Sequence, residues 1–348
     1  MKVSFVSSQA ISQAMRYQML RMQTELVTAN TELVTGRVAD TGLALGARSG
    51  MSVSFHREVD RLKSLIDSNS FAATRLEASQ IGLRELSDAA GDLMASFATA
   101  YSTSSNPTIA KQEADAALAA LTSTLNTNVN GEYLFAGINT DVKPLHDFSD
   151  PTSPNRIAFE NEFVTFFGFG PTDPAAASID FATMDAFMDI IETKFLGPDW
   201  GTEWSTATDQ QITSRITLTE TAQTSVSANG SGFRKLAMTA AMVSYIFQGP
   251  VSEGARAAIF ERSLSLLGQA TSELANQQGV TGITEQRLER ANDRMRLQID
   301  LLSNGLHNLE GVDEYEASSR VTGLMAQIEL SYSLTARMQQ LSLLKFLS

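Results

Sequence analysis

Cysteine is absent from all 348 residues, which excludes disulfides, thiolate nucleophiles and thiolate metal ligands. Histidine is nearly absent as well. His56, His146 and His307 fall in different segments with no second ligand at metal spacing, so surface or capping roles are expected rather than a metal centre. Cations are outnumbered: 26 Lys and Arg face 39 Asp and Glu, for a net charge of −13. A nucleic-acid surface needs clustered cations to displace counterions, so nucleic acid is excluded as a general partner. Long apolar runs are missing too. The longest, residues 236–247, contains Thr239, Ser244 and Tyr245, whereas a membrane span needs about 20 apolar residues. At the N-terminus, Ser4, Ser7, Ser8, Gln9, Ser12 and Gln13 interrupt the apolar core that a cleaved secretory signal would need.

Motifs for chemistry are equally sparse. Gly168-Phe169-Gly170 begins like a dinucleotide glycine pattern, but Asp173 stands where the third Gly belongs and no strand-to-helix context surrounds it, so a turn is expected. Gly230-Ser231-Gly232 lacks the spacing of a nucleophile elbow. Asp313, Glu314 and Glu316 suit the start of a helix, where acids complement the helix dipole without any ligand. No catalytic residue, cofactor or metal is expected, and the chain reads as something other than an enzyme.

What the sequence does contain is helical periodicity. Near the C-terminus, Val321, Met325, Ile328, Tyr332, Leu334, Met338, Leu341 and Leu344 form an apolar stripe. Near the N-terminus, Ile11, Met15, Met19, Met22, Leu26, Ala29 and Leu33 repeat at three and four residues. The two stripes predict paired terminal helices, with Gly36 ending the first. A long helix is expected through Phe55, Val59, Leu62, Ile66, Leu76, Leu83, Ala90, Phe97 and Tyr101. A second, antiparallel helix follows, capped by Asn106 with Pro107 in its first position.

Residues 141–232 differ in composition. Six of the eight prolines, both tryptophans and the cluster Phe159, Phe163, Phe166, Phe167 and Phe169 lie there. A helix over 183–195 and a hairpin joining 212–218 to 221–228 are expected in this segment. Ser252 is placed to cap a further helix, with Gly279 and Gly282 as interruptions before the seam resumes at Leu288. The expected fold is mainly α: a long antiparallel helical rod, paired terminal helices and an inserted α+β domain. Its divisions would be 1–45 with 313–348, 46–140 with 230–312, and an insertion at 141–229 that the rod does not need in order to fold.

Several stretches resemble a known family. Residues 33–50, LVTGRVADTGLALGARSG, resemble the glycine-containing loop after the first helix of bacterial flagellins and their relatives. Residues 130–145, NGEYLFAGINTDVKPL, are similar to the YLFAG segment of the flagellin-like hook-associated proteins. Gly311-Val312-Asp313 through Glu316-Ala317 resembles the family's turn into its last helix, and residues 336–347, ARMQQLSLLKFL, its C-terminal ending. The resemblance implies a structural protein of the bacterial flagellum, exported through the flagellar type III channel and located outside the cell at the hook–filament junction. The partners it implies are flagellin, another hook-associated protein, a ring of its own copies and an export chaperone. The apolar residues of the two terminal stripes would pack subunits together. A flagellin filament subunit is the nearest alternative, and a cytoplasmic coiled-coil adaptor the next. GEYLFAG, residues 131–137, favours the junction.

Overall fold

Nine α-helices and two short hairpins are present among the described residues, 8–103 and 107–347, of the computed structural model. In order they are α1 (Ser8–Thr35), α2 (Thr41–Leu45), α3 (Ser49–Thr103), α4 (Pro107–Leu125), β1 (Asn128–Val129) and β2 (Glu132–Tyr133). These are followed by α5 (Pro154–Phe167), α6 (Phe181–Leu196), β3 (Thr213–Arg215), β4 (Thr221–Gln223), α7 (Ser231–Ile246), α8 (Glu253–Glu310) and α9 (Glu314–Leu347). The chain is mainly α, with paired terminal helices and an α+β insertion. Asn106, the expected cap of α4, lies outside the described residues. Two compact units emerge, one of residues 1–64 with 295–348 and one of residues 65–294.

In the first unit α1 packs along α9. The pairs Gln23–Tyr332, Glu32–Arg320 and Gly36–Val312 run in opposite chain directions, so the helices are antiparallel. As expected, α1 stops at Gly36, whose φ of +66° is left-handed and open to glycine without strain. The start of α3 and the end of α8 also pair. Val59, Leu62 and Leu306 are buried, and a Cβ on Gly305 would come within 2.9 Å of the Phe55 ring.

The second unit is built round α7. From Gly232 to Ile246 every residue except Arg234 is buried. The longest apolar run in the sequence is therefore a central helix, surrounded by α4, α6 and α8, and not a membrane segment. No described helix is long and apolar enough to cross a membrane. Lys235, buried on α7, is paired with Glu273 at 2.6 Å and Gln269 at 3.0 Å. In this unit α3 and α8 are antiparallel: Gln80 reaches the Gln278 carbonyl at 2.8 Å, and the Phe97 and Phe260 rings lie 5.4 Å apart.

Two expectations are corrected here. Gly279 and Gly282 do not interrupt α8, which runs unbroken from Glu253 to Glu310. At Gly282 an added Cβ would sit 3.3 Å from the Gln80 side chain, so the missing side chain permits close approach to α3 instead of ending the helix. The segment 141–229 is also not a separately cored body. Phe159 and Phe163, on the unforeseen helix α5, lie 5.4 and 5.7 Å from the Tyr245 ring of α7. A single buried cluster runs from Leu83 on α3 through Phe148, Phe187 and Trp200 to Leu274 on α8. The hairpin β3–β4, paired Ser214 to Ala222, sets Ile216 against Leu76 and Leu288 in a smaller cluster.

Replacing residues 146–228 with a short Gly/Ser linker is therefore expected to abolish the cooperative thermal transition of the second unit in circular dichroism. The Phe163→Ala substitution should cost about 3–5 kcal/mol in urea denaturation, the loss typical of a fully buried aromatic.

Candidate assembly surface

Each face of α1 has its own chemistry. Ile11, Met15, Met19, Met22, Leu26 and Leu33 are half-buried and Ala29 is fully buried, which makes this the face turned into the α1–α9 pair. On α9 the inward positions are Val321, Leu324 and Ile328, followed by Ser331 and Thr335. Met325, Tyr332 and Leu334, also candidates from the sequence, are exposed, although the Tyr332 hydroxyl still accepts a hydrogen bond from Gln23 at 3.0 Å. The side chains of Met338, Leu341 and Leu344 lie outside the described residues.

A second stripe escaped the sequence reading. Tyr17, Leu20, Val27 and Val34 are 63–77% exposed and recur at three and seven residues. At 100° per residue they lie opposite Ala29, on the outward side of α1. Threonines fill the places between them. Thr24, Thr28, Thr31 and Thr35 each donate their hydroxyl to the carbonyl four residues back, at 2.7–3.0 Å. These four hydroxyls are already satisfied, so covering them leaves none unpaired. Gln13 and Arg16 share this face near its start, so the low polar cost of burial applies to residues 20–35. Its signal in the sequence was the heptad spacing of Leu20, Val27 and Val34.

The base of the pair is held by backbone and by one buried acid. Val38 donates to the Glu310 carbonyl at 2.8 Å, Val312 donates to the Gly36 carbonyl at 3.0 Å, and Arg37 and Gly311 form an antiparallel bridge. The Glu310 side chain is only 2% exposed. It accepts from the Ser52 hydroxyl and lies 3.1 Å from His56 Nε2 and 3.6 Å from Arg37 Nη1. Burial pushes this carboxyl upward. The hydrogen bonds from Ser52 and His56 and the charges of His56 and Arg37 outweigh that, leaving it below the usual carboxylate value. Asp313, one of the acids expected at the start of a helix, caps α9 by accepting from the Tyr315 amide at 2.8 Å.

Among the described residues no three His, Asp or Glu are grouped to hold a metal. The three histidines stay apart, with His56 on Glu310 and His146 lowered by burial and by Lys143. Gly168 is the left-handed end of α5, within a turn.

Residues 6–140 match the family described as the bacterial flagellin N-terminal helical region, and residues 264–347 match the bacterial flagellin C-terminal helical region. Together the two matches take in more than half of the chain and both members of the terminal pair. The chain belongs to the flagellin superfamily. A solved structure provisionally assigned as a flagellar hook-associated protein, from Vibrio parahaemolyticus, is similar with a TM-score of 0.53 and 10% identity. That similarity covers 76% of this chain and 97% of the other, and it establishes the fold. No curated protein sequence matches.

This flagellin-superfamily protein is thus a structural, non-enzymatic molecule that works through packing of its terminal helices. The base of its terminal pair gives a pH test. A folded-state value below the unfolded one means that Glu310 adds stability above about pH 4.3, the ordinary glutamate value, and loses it as pH falls through the lowered value. Glu310→Gln should cost about 1.5–3 kcal/mol at pH 7. In urea denaturation its gap from the wild type should close as pH falls below the carboxylate range.

Proposed function

We propose that the protein is a hook-associated subunit of the bacterial flagellum that joins the hook to the filament from outside the cell. The observation that carries the reading is the outward stripe of α1, apolar and with its hydroxyls already bonded, on a chain of the flagellin superfamily. Such a face suits burial against neighbouring subunits. The GEYLFAG segment and the fold shared with the Vibrio protein support the junction over the filament. Flagellin, a second hook-associated protein, further copies of the chain in a ring and an export chaperone are the partners this reading requires.

In this reading the apolar residues divide by task. Ile11, Met15, Met19, Met22, Leu26, Leu33, Val321 and Ile328 hold the terminal pair together, and only indirectly serve assembly. Tyr17, Leu20, Val27 and Val34, with Met325, Tyr332 and Leu334, meet other subunits. Val27→Asp combined with Leu20→Asp should leave the circular dichroism spectrum of the monomer unchanged while abolishing incorporation into sheared flagella. Leu26→Asp should instead lower helix content.

A filament subunit is the second reading, because the matched regions are those of flagellin itself. A filament subunit must match its own copies in every direction, since repeated heterologous contacts that do not close make open helical polymers. A junction subunit faces different partners above and below. Deleting the gene should leave hooks without filaments and flagellin shed to the medium, and the purified protein should stay monomeric or in small assemblies. Long filaments of the purified protein in negative-stain micrographs would overturn the junction in favour of flagellin.

A further inference from the structure

A cleft of about 650 Å³ opens where α4, α7 and the segment leading into α5 meet. The acids that line it are already engaged. Asp115 accepts from Lys111 Nζ at 2.7 Å and from the Ser244 hydroxyl. Asp147 accepts from the Ser149 amide at 2.9 Å and the Ser149 hydroxyl at 2.7 Å. Lys111 is paired with Asp115, and the second cation of the cleft, Arg156, is bonded to neither acid.

Arg156 is half-buried on the first turn of α5, its guanidinium carbon 4.6 Å from the Tyr245 ring centroid and 5.1 Å from that of Phe148. Among the described residues no carboxylate comes within the 4.0 Å of an ion pair, Glu160 one turn onward included. Burial pushes the Tyr245 hydroxyl up to about 12, with Glu160 adding to the rise and Arg156 opposing it, so the supporting ring is neutral. Neither an ion pair nor a hydrogen bond to another described residue occupies the Arg156 guanidinium, whose N–H groups form the fork that matches a planar carboxylate.

We propose that this cleft binds a carboxylate-bearing ligand, the carboxylate held on the edge of Arg156 and the apolar part of the ligand against Leu118, Phe148 and Pro151. Asp115 and Asp147 balance the charges of Lys111 and Arg156, so the cleft tolerates a monovalent carboxylate better than a dianionic phosphate. The inference is independent of the junction reading. The same chemistry could arrive as a free organic acid or as a single Glu within an apolar segment of another protein.

Saturation-transfer NMR on the full-length protein at low salt separates the two, with hexanoate, a capped Leu-Glu-Leu peptide and inorganic phosphate as probes. Hexanoate or peptide should bind wild type and lose at least about tenfold in affinity with Arg156→Gln, the effect of removing a charge-assisted hydrogen bond. Arg156→Lys, which keeps the charge without the fork, should fall between, and thermal melts of all three proteins report folding. Hexanoate alone would identify the free acid, and peptide alone the protein segment. Binding of neither, equal affinity of both for wild type and a folded Arg156→Lys, or phosphate binding as tightly as either, would overturn the proposal.

Discussion

The antiparallel pairing of the first and last helices is the constraint on which the terminal unit depends. Because the two ends of the chain must lie side by side, the strand leaving α1 and the strand entering α9 have to pass each other at one place. That place is residues 36–38 and 310–312, where two backbone hydrogen bonds and the Arg37–Gly311 bridge join them. Gly36 supplies the left-handed turn that ends one helix, and Asp313 caps the start of the other. Glu310 sits beneath this crossing with three partners from two other segments, so an acid that would be costly alone becomes part of the fastening.

The second unit solves a different problem. A helix as apolar as α7 needs cover on every side, and the flanking helices do not supply enough of it. The insertion does, through a lattice of tilted and edge-to-face rings linking Phe148, Phe159, Phe163, Phe187 and Phe195 to Tyr245. The two indoles, Trp200 and Trp204, stack at 5.5 Å, and Trp200 finds Asn229 for its N–H at 2.9 Å. The aromatic enrichment of 141–232 is therefore core material for the central helix.

Assembly by packing makes a particular demand on surface chemistry. An interface that forms by burying helices must leave no unpaired polar group behind, because each would cost more than its apolar neighbours contribute. Threonine on the outward face of α1 meets this demand by bonding back to its own helix. Charges on the pair are held in ion pairs, Arg21–Glu25 within α1 and Arg320–Glu32 between α9 and α1. A protein that works by packing still has an exacting surface, and its exactness lies in which donors are already satisfied.

The sequence by itself determined most of the long helices and their ends at Gly36 and Ser252, because a three-to-four-residue apolar period and local caps are local physics. It also carried the hairpin at 212–228 and the helix at 183–195, again from short-range pattern. The tertiary structure decided what each apolar position faces. Met325 and Ile328 belong to one stripe in the sequence, yet one is exposed and the other buried, since a stripe wider than its partner is only half covered. Helix α5 was hidden because phenylalanine favours strands as readily as helices, and only the packing of Phe159 and Phe163 on Tyr245 selects the helix. Gly282 could not declare itself from sequence either, because a glycine that breaks a helix and one that lets two helices touch read alike until the neighbour, Gln80, is in place.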